Sequence, residues 1–154
     1  MIYSVNVVIL EDLTVAKRAY KYRFYPTIEQ AELLAKTFGC VRFVYNSILR
    51  WRTDAYYNHQ EKIGYTQASA KLTALKKEPD FTWLNDVSSV PLQQALRHQQ
   101  AAFSNFFAGR AKYPTFKSKR HKQSATLTDA AFKYKDGQIF MAKSKEALNI
   151  RWSR

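Results

Sequence analysis

From Lys17 to Tyr25 the side chains alternate, with Lys17, Ala19, Lys21 and Arg23 on one side and Arg18, Tyr20, Tyr22 and Phe24 on the other. That period of two predicts a strand with one basic and one aromatic face. Pro26 stops the strand, and Thr27 with Gln30 three residues on forms a capping box that opens a helix. Ile28, Ala31, Leu34, Ala35 and Phe38 mark one side of this first predicted helix, which is expected to end at Gly39. A second helix follows, with Val41, Val44, Tyr45, Ile48, Leu49 and Ala55 as its buried stripe. Arg42, Asn46 and Arg50, four residues apart, share another face of it, with Trp51 and Arg52 nearby.

Beyond the polar stretch around Asn58, His59 and Lys62, a third helix is predicted from about Thr66, carrying Ala68, Leu72 and Leu75 and stopped by Pro79. Phe81, Trp83 and Leu84 read as a turn anchored in the core. Ser89, Val90 and Pro91 open a fourth helix with Leu92, Leu96, Gln99, Phe103 and Phe106 on one side, closing at Gly109. Phe103, Phe106 and Phe107 are expected in the core. Short β-prone runs follow at Ala125 to Thr128, Phe132 to Lys135 and Gln138 to Ala142, with Asp136-Gly137 as a two-residue hairpin turn. Alternation of Leu148, Ile150 and Trp152 predicts one more strand, without a visible partner. The order of one strand, about four helices and then several strands predicts an α+β fold, a barrel or sheet whose first strand is separated from the rest by a helical insertion.

Composition narrows the picture. A chain of 154 residues, 46% hydrophobic, holds one domain or one small domain inserted into another. The apolar run Val5 to Leu10 is too short to span a bilayer and has no basic residue before it, so a cytoplasmic protein without a membrane partner is expected. One cysteine, Cys40, and three histidines allow neither a disulfide framework nor a zinc-ligand set. The net charge of +13 costs self-repulsion in the compact state, which a polyanionic partner would relieve.

That charge is uneven: residues 1–109 hold 13 basic and 9 acidic side chains, residues 110–154 hold 12 and 3. The densest part is Arg110, Lys112, Lys117, Lys119, Arg120 and Lys122, with no acid between them and with Tyr113, Phe116 and His121 interleaved. Rings among cations suit nucleic acid, since a base can stack on the ring while the cations hold phosphates.

The run from Arg18 to Thr27 (Arg-Ala-Tyr-Lys-Tyr-Arg-Phe-Tyr-Pro-Thr), then Glu29-Gln30, then Phe38 to Asn46, resembles the N-terminus of the TnpB (OrfB) family of insertion-sequence proteins, long labelled transposases and related to type V CRISPR effectors. Further pieces agree in order: Tyr65-Thr66-Gln67, Leu72 to Lys76, Trp83-Leu84, Leu92 to Leu96, Phe103 with Phe106-Phe107, and Tyr113-Pro114 with Phe116-Lys117. The resemblance spans roughly residues 15 to 154.

The resemblance implies an oligonucleotide-binding, wedge-type β-barrel, left incomplete in this chain (15–25 and 113–154), interrupted by a helical recognition domain (26–112) with a helix-turn-helix-like start; residues 1–14 would be an upstream extension, and the chain a truncated product. It implies the nucleic-acid-binding part of an RNA-guided DNA endonuclease, with double-stranded DNA and guide RNA as partners. Carried onto matching positions, Tyr65, Ser69, Gln93 and, more loosely, Thr128 become candidates for reading a DNA motif; Ser89 and Val90 stand where the family can place a lysine and an aromatic. Lys17, Lys21, Arg23, Arg42, Asn46, Arg50, Arg52 and the six cations from Arg110 to Lys122 are candidates for nucleic-acid backbone contact. Relatives continue into a ribonuclease-H-like domain with three acidic metal ligands and a four-cysteine zinc ribbon. Magnesium and zinc are therefore implied only for those regions, and this chain is expected to need no cofactor and to have no catalytic residues. The alternative is a helix-turn-helix DNA-binding regulator of transposition, suggested by the short turn at Gly39. Arg42 followed by Phe43 and Val44 fits a recognition helix poorly, since such a helix needs polar side chains in its first exposed turn.

Overall fold

The computed structural model of the chain describes the backbone of residues 3–10 and 17–152, and the side chains of Tyr3 and of residues 20–152. The boundary expected between residues 1–14 and the rest of the chain, and the side chain of Lys17, lie outside these. Two units emerge, Met1–Glu32 with Phe132–Arg154, and Leu33–Ala131.

In the first unit, β1 (Tyr3–Leu10) pairs antiparallel along its whole length with β2 (Lys17–Tyr25), Tyr3 opposite Phe24 and Leu10 opposite Lys17. No strand was expected in residues 1–14. The run Val5 to Ile9 is rich in β-branched residues, which a pleated surface accommodates well. A hairpin follows, β3 (Phe132–Lys135) with β4 (Gln138–Met141), turning at Asp136 and Gly137 with φ of 52° and 76°, as the Asp-Gly signal predicts. The last strand, β5 (Asn149–Arg151), does have a partner: it pairs antiparallel with β2, Phe24 opposite Ile150. Both are buried, and the Tyr3 ring stacks on Phe24 at 5.6 Å. The described strands form a sheet of order β1-β2-β5 and a separate hairpin, not a closed barrel. The helices lie in sequence between two paired strands, as an insertion requires.

The capping box forms as read: Thr27 N donates to Gln30 Oε1 (3.0 Å) and Gln30 N to Thr27 Oγ1 (3.1 Å). Gln30 is also buried, its Nε2 donating to the carbonyls of Glu146 (3.0 Å) and Ala147 (3.3 Å), so one side chain caps the helix and holds the loop before β5.

The helix that starts there, α1 (Ile28–His59), corrects the predicted break at Gly39. Its buried positions Gln30, Leu34, Thr37, Cys40, Val41, Val44, Tyr45, Ile48, Leu49, Arg52 and Ala55 keep a step of three or four throughout, so the stripe passes Gly39 without losing phase. A mid-helix glycine costs about 1 kcal/mol relative to alanine. Burying a single Leu or Ile contributes about 1.5–3 kcal/mol, so the stripe outweighs the glycine. Ile28 and Ala35, predicted on the buried side, are exposed. The helix ends instead at Gln60, whose φ of 53° lets Gln60 N reach Tyr56 O (3.0 Å) and Glu61 N reach Ala55 O (3.1 Å).

Three further helical elements complete the second unit: α2 (Tyr65–Lys77), a 3-10 helix (Pro79–Asp86) and α3 (Ser89–Phe107), capped by Ser88. Val41, Val44 and Ile48 of α1, Leu72 and Leu75 of α2, Leu84, and Leu92 and Leu96 of α3 make its core. A satellite cluster of Tyr45, Leu49 and Phe103 takes Tyr113 against it, while Phe106 is half-buried and Phe107 exposed. Ala125 to Thr128 forms no strand; Ala125 packs on the helical core instead, and a short 3-10 turn follows at Asp129–Ala131.

Candidate nucleic-acid interface

The basic segment after α3 has no regular structure, so its backbone must find partners elsewhere. Asn46 on α1 supplies the first: its Nδ2 donates to Lys117 O (2.9 Å) while Lys117 N donates to its Oδ1 (2.7 Å), as a neighbouring strand would. Gln123 supplies the second, its Nε2 lying within 3.0–3.3 Å of the carbonyls of Ser118, Lys119 and His121 and its Oε1 accepting from Arg42 Nη1 (3.2 Å). Tyr113 supplies the third. Its hydroxyl bonds Thr53 Oγ1 at 2.8 Å, and its ring meets Phe103 and Phe106 edge-on at 5.4 and 5.0 Å.

These pins are neutral amides and a phenol, and no acid occurs between Arg110 and Thr128. The cations of Arg110, Lys112, Lys119, Arg120 and Lys122 therefore stay exposed on a held backbone. Lys117 lies with Nζ 4.6 Å from the Tyr45 ring centre. Residues 112–118 and 121–124 with Tyr45 border a cleft of about 470 Å³, with the Phe116 ring 51% exposed at its side. A cationic concavity carrying a solvent-facing ring can hold phosphates and stack a base.

Two predicted phosphate contacts are corrected. Asn46 spends its amide on Lys117. Arg52 is 4% exposed: its Nη2 donates to Ile63 O (2.6 Å) and Gln100 Oε1 (2.8 Å), its Nη1 to Gln99 Oε1 (3.4 Å), and its guanidinium lies 4.1 Å from the Phe103 ring centre. Burial lowers its pKa, with the Tyr113 and Tyr45 phenols acting the other way, and burial raises that of Tyr45. Position on the helix decided this, since Arg52 continues the buried stripe three residues after Leu49. Arg50 is exposed and pairs with Asp54 at 3.4 Å, and Lys21 and Arg23 are exposed on β2 of the first unit.

Three of the four motif-reading candidates meet. The hydroxyls of Tyr65 and Ser69, one turn apart on α2, both donate to Gln93 Oε1 on α3 at 3.1 Å. That fills the acceptor end of the Gln93 amide and leaves Nε2 as its donor end. Arg97, one turn further along α3, lies over the Tyr65 ring at 4.5 Å and was not foreseen; its spacing of four from Gln93 was the available signal. Thr128 makes no described contact with these three. Its carbonyl accepts from Ala131 N at 2.8 Å.

The fold and this surface define an α+β chain whose helical unit displays a pinned, acid-free cationic loop and, on α2 and α3, a polar cluster. The model of the OrfB/IS605 helix-turn-helix domain matches residues 16–61, which here form β2 and the single helix α1. A Streptomyces pristinaespiralis protein named as a candidate RNA-guided DNA endonuclease is 58% identical over 139 residues, covering 90% of this chain and 35% of that protein. InsQ of Escherichia coli K12, carrying the same description, is 30% identical over 120 residues, 78% of this chain and 28% of its own length. Virulence protein VsdF of Salmonella dublin is 38% identical over 114 residues, 68% of this chain and 96% of its own length. The chain thus spans about a third of the two endonuclease relatives. It belongs to the TnpB (OrfB) family. No helix among the described residues is long and apolar enough to cross a membrane.

Proposed function

We propose that this chain is the nucleic-acid-binding N-terminal part of a TnpB-type RNA-guided DNA endonuclease, engaging guide RNA and element-adjacent double-stranded DNA without carrying out strand cleavage. The observation that carries this reading is the loop from Arg110 to Lys122, whose backbone is fixed by Asn46 and Gln123 and whose cations stand exposed without an acid among them. Among the described residues no group of three or more His, Cys, Asp or Glu could hold a metal ion.

Changing Arg110, Lys112, Lys119, Arg120 and Lys122 to Ala is expected to flatten the salt dependence of duplex binding. Each phosphate left without its cation should lower the slope of log K against log salt by about 0.9. Anisotropy titrations over a salt series read this directly, and an unaltered slope overturns the reading.

Within the same function Gln93 would read an acceptor on a base edge, Tyr65 and Ser69 holding its amide in place. Gln93→Glu keeps an acceptor for both hydroxyls and removes the donor. It should therefore lower discrimination among duplex sequences by about 1–3 kcal/mol while leaving thermal stability near that of the parent chain. Equal discrimination in a competition against randomised duplexes would exclude Gln93 from base reading.

A further inference from the structure

A second cleft, of about 620 Å³, lies between α1 and the 3-10 helix, bordered by Lys36, Arg42, Phe43 and Ser47 on one side and Trp83 and Asp86 on the other. Its wall is held in place. Trp83 Nε1 donates to Asp80 O (2.9 Å), and the Trp83 ring meets Phe43 edge-on at 5.0 Å, itself 5.1 Å from Phe81. Asn85 Nδ2 ties the 3-10 helix to the end of α2 by donating to the carbonyls of Lys76 (3.0 Å) and Thr82 (3.1 Å). Trp83 nevertheless stays 41% exposed. An indole fixed on its edge by a hydrogen bond and a ring contact, with surface left in water, is a prepared stacking platform.

The charges around it are of two kinds. Lys36 and Arg42 can hold a phosphate, whereas the Asp86 carboxylate accepts only from hydroxyl or amino donors. Asp86 is close enough to Cys40 on the cleft's border to raise the thiol pKa, after burial and against Lys36. The cleft is of the size that holds one small ligand, and a chain of net charge +13 has a polyanion as its complement. A duplex keeps its base faces inside the stack, so only an unpaired base can offer one to Trp83. A ribose 2′-hydroxyl both donates and accepts, which matches Asp86 and Ser47 together, and deoxyribose lacks it.

We infer that this cleft binds one unpaired nucleotide of RNA, with its base on Trp83, its phosphate at Lys36 and Arg42, and its 2′-hydroxyl toward Ser47 and Asp86. The inference rests on the nucleic-acid reading above and adds to it a site apart from the Gln93 cluster, bordering the basic loop's pins through Arg42 and Asn46.

The test uses the full chain and three labelled probes: an unstructured single-stranded RNA, the DNA strand of the same sequence, and a DNA duplex. Trp83→Ala is expected to weaken RNA binding about ten-fold, Trp83→Phe to restore most of it, and neither to change duplex affinity. Asp86→Ala should narrow the preference for the RNA strand over the DNA strand. RNA affinity unmoved by Trp83→Ala overturns the inference. So does an equal loss for RNA and duplex, or a DNA strand that depends on Trp83 as strongly as RNA does. If the parent chain binds the duplex and only the Trp83 effects are missing, the nucleic-acid reading stands and this site falls; if it binds none of the three probes at low salt, both fall.

Discussion

Arg52→Ala is expected to lower the unfolding free energy by about 3–4 kcal/mol. The side chain is buried and makes no ion pair with a carboxylate among the described residues; its charge is met by the Ile63 carbonyl, the amide oxygens of Gln99 and Gln100, and the face of Phe103. Removing it takes the donor from Ile63 O, which joins the loop after α1 to the helix core, and from two glutamines on α3. Gln99 is also buried and gives its Nε2 to Tyr45 O at 2.9 Å, so the disturbance reaches α1 twice. Buried acceptors left without donors cost about 1–3 kcal/mol each, partly relieved where water enters the space vacated. Arg52→Lys should recover only part of the loss, because one ammonium cannot reach the three acceptors that the planar fork spans. Urea unfolding reads the effect through the midpoint at constant slope. A midpoint for Arg52→Ala close to that of the parent chain would show that the network is dispensable.

Arg52 also shows where the sequence was legible and where it was not. The pattern of apolar positions gave α2, α3, the β3–β4 hairpin and the Thr27–Gln30 cap nearly as they stand, because each depends on neighbours within one or two turns. At Gly39 a local stop signal competed with a stripe that keeps its phase, and the stripe prevailed because tertiary burial outweighs a glycine's propensity. The partner of β5 was invisible because β2 lies more than a hundred residues earlier and nothing in either strand names the other. In the interface, charge density located the basic loop. Which polar groups face inward was not legible, since Asn46, Arg52 and Gln123 owe their roles to a fold that brings distant backbone groups to them. Tyr65, Ser69 and Gln93 came from resemblance alone, and their meeting across α2 and α3 is a fact of packing.

Asn46→Ala should weaken duplex binding about ten-fold while keeping the salt dependence of the parent chain, because it removes a pin and no charge. The Asn46 amide pairs with both backbone groups of Lys117, at 2.9 and 2.7 Å, and so fixes the middle of the cationic loop. With that pair gone, the loop has to be ordered at the moment of binding, at a cost of about 0.5–1.5 kcal/mol for each long side chain immobilised. Fold stability should fall by only about 1 kcal/mol, as for one hydrogen-bonded side chain near the surface. The expected signature is therefore a parallel downward shift of the binding curve against log salt, whereas the loop-cation variants should change its gradient. Gln123 is the second pin on the same loop, bonded to three of its carbonyls. If the two pins act on one ordering equilibrium, the double variant Asn46→Ala with Gln123→Ala should lose more affinity than the two single losses together. A strictly additive double variant would mean that the two amides hold separate parts of the loop, and an unchanged affinity for Asn46→Ala alone would mean that Tyr113 and Gln123 suffice to present its cations.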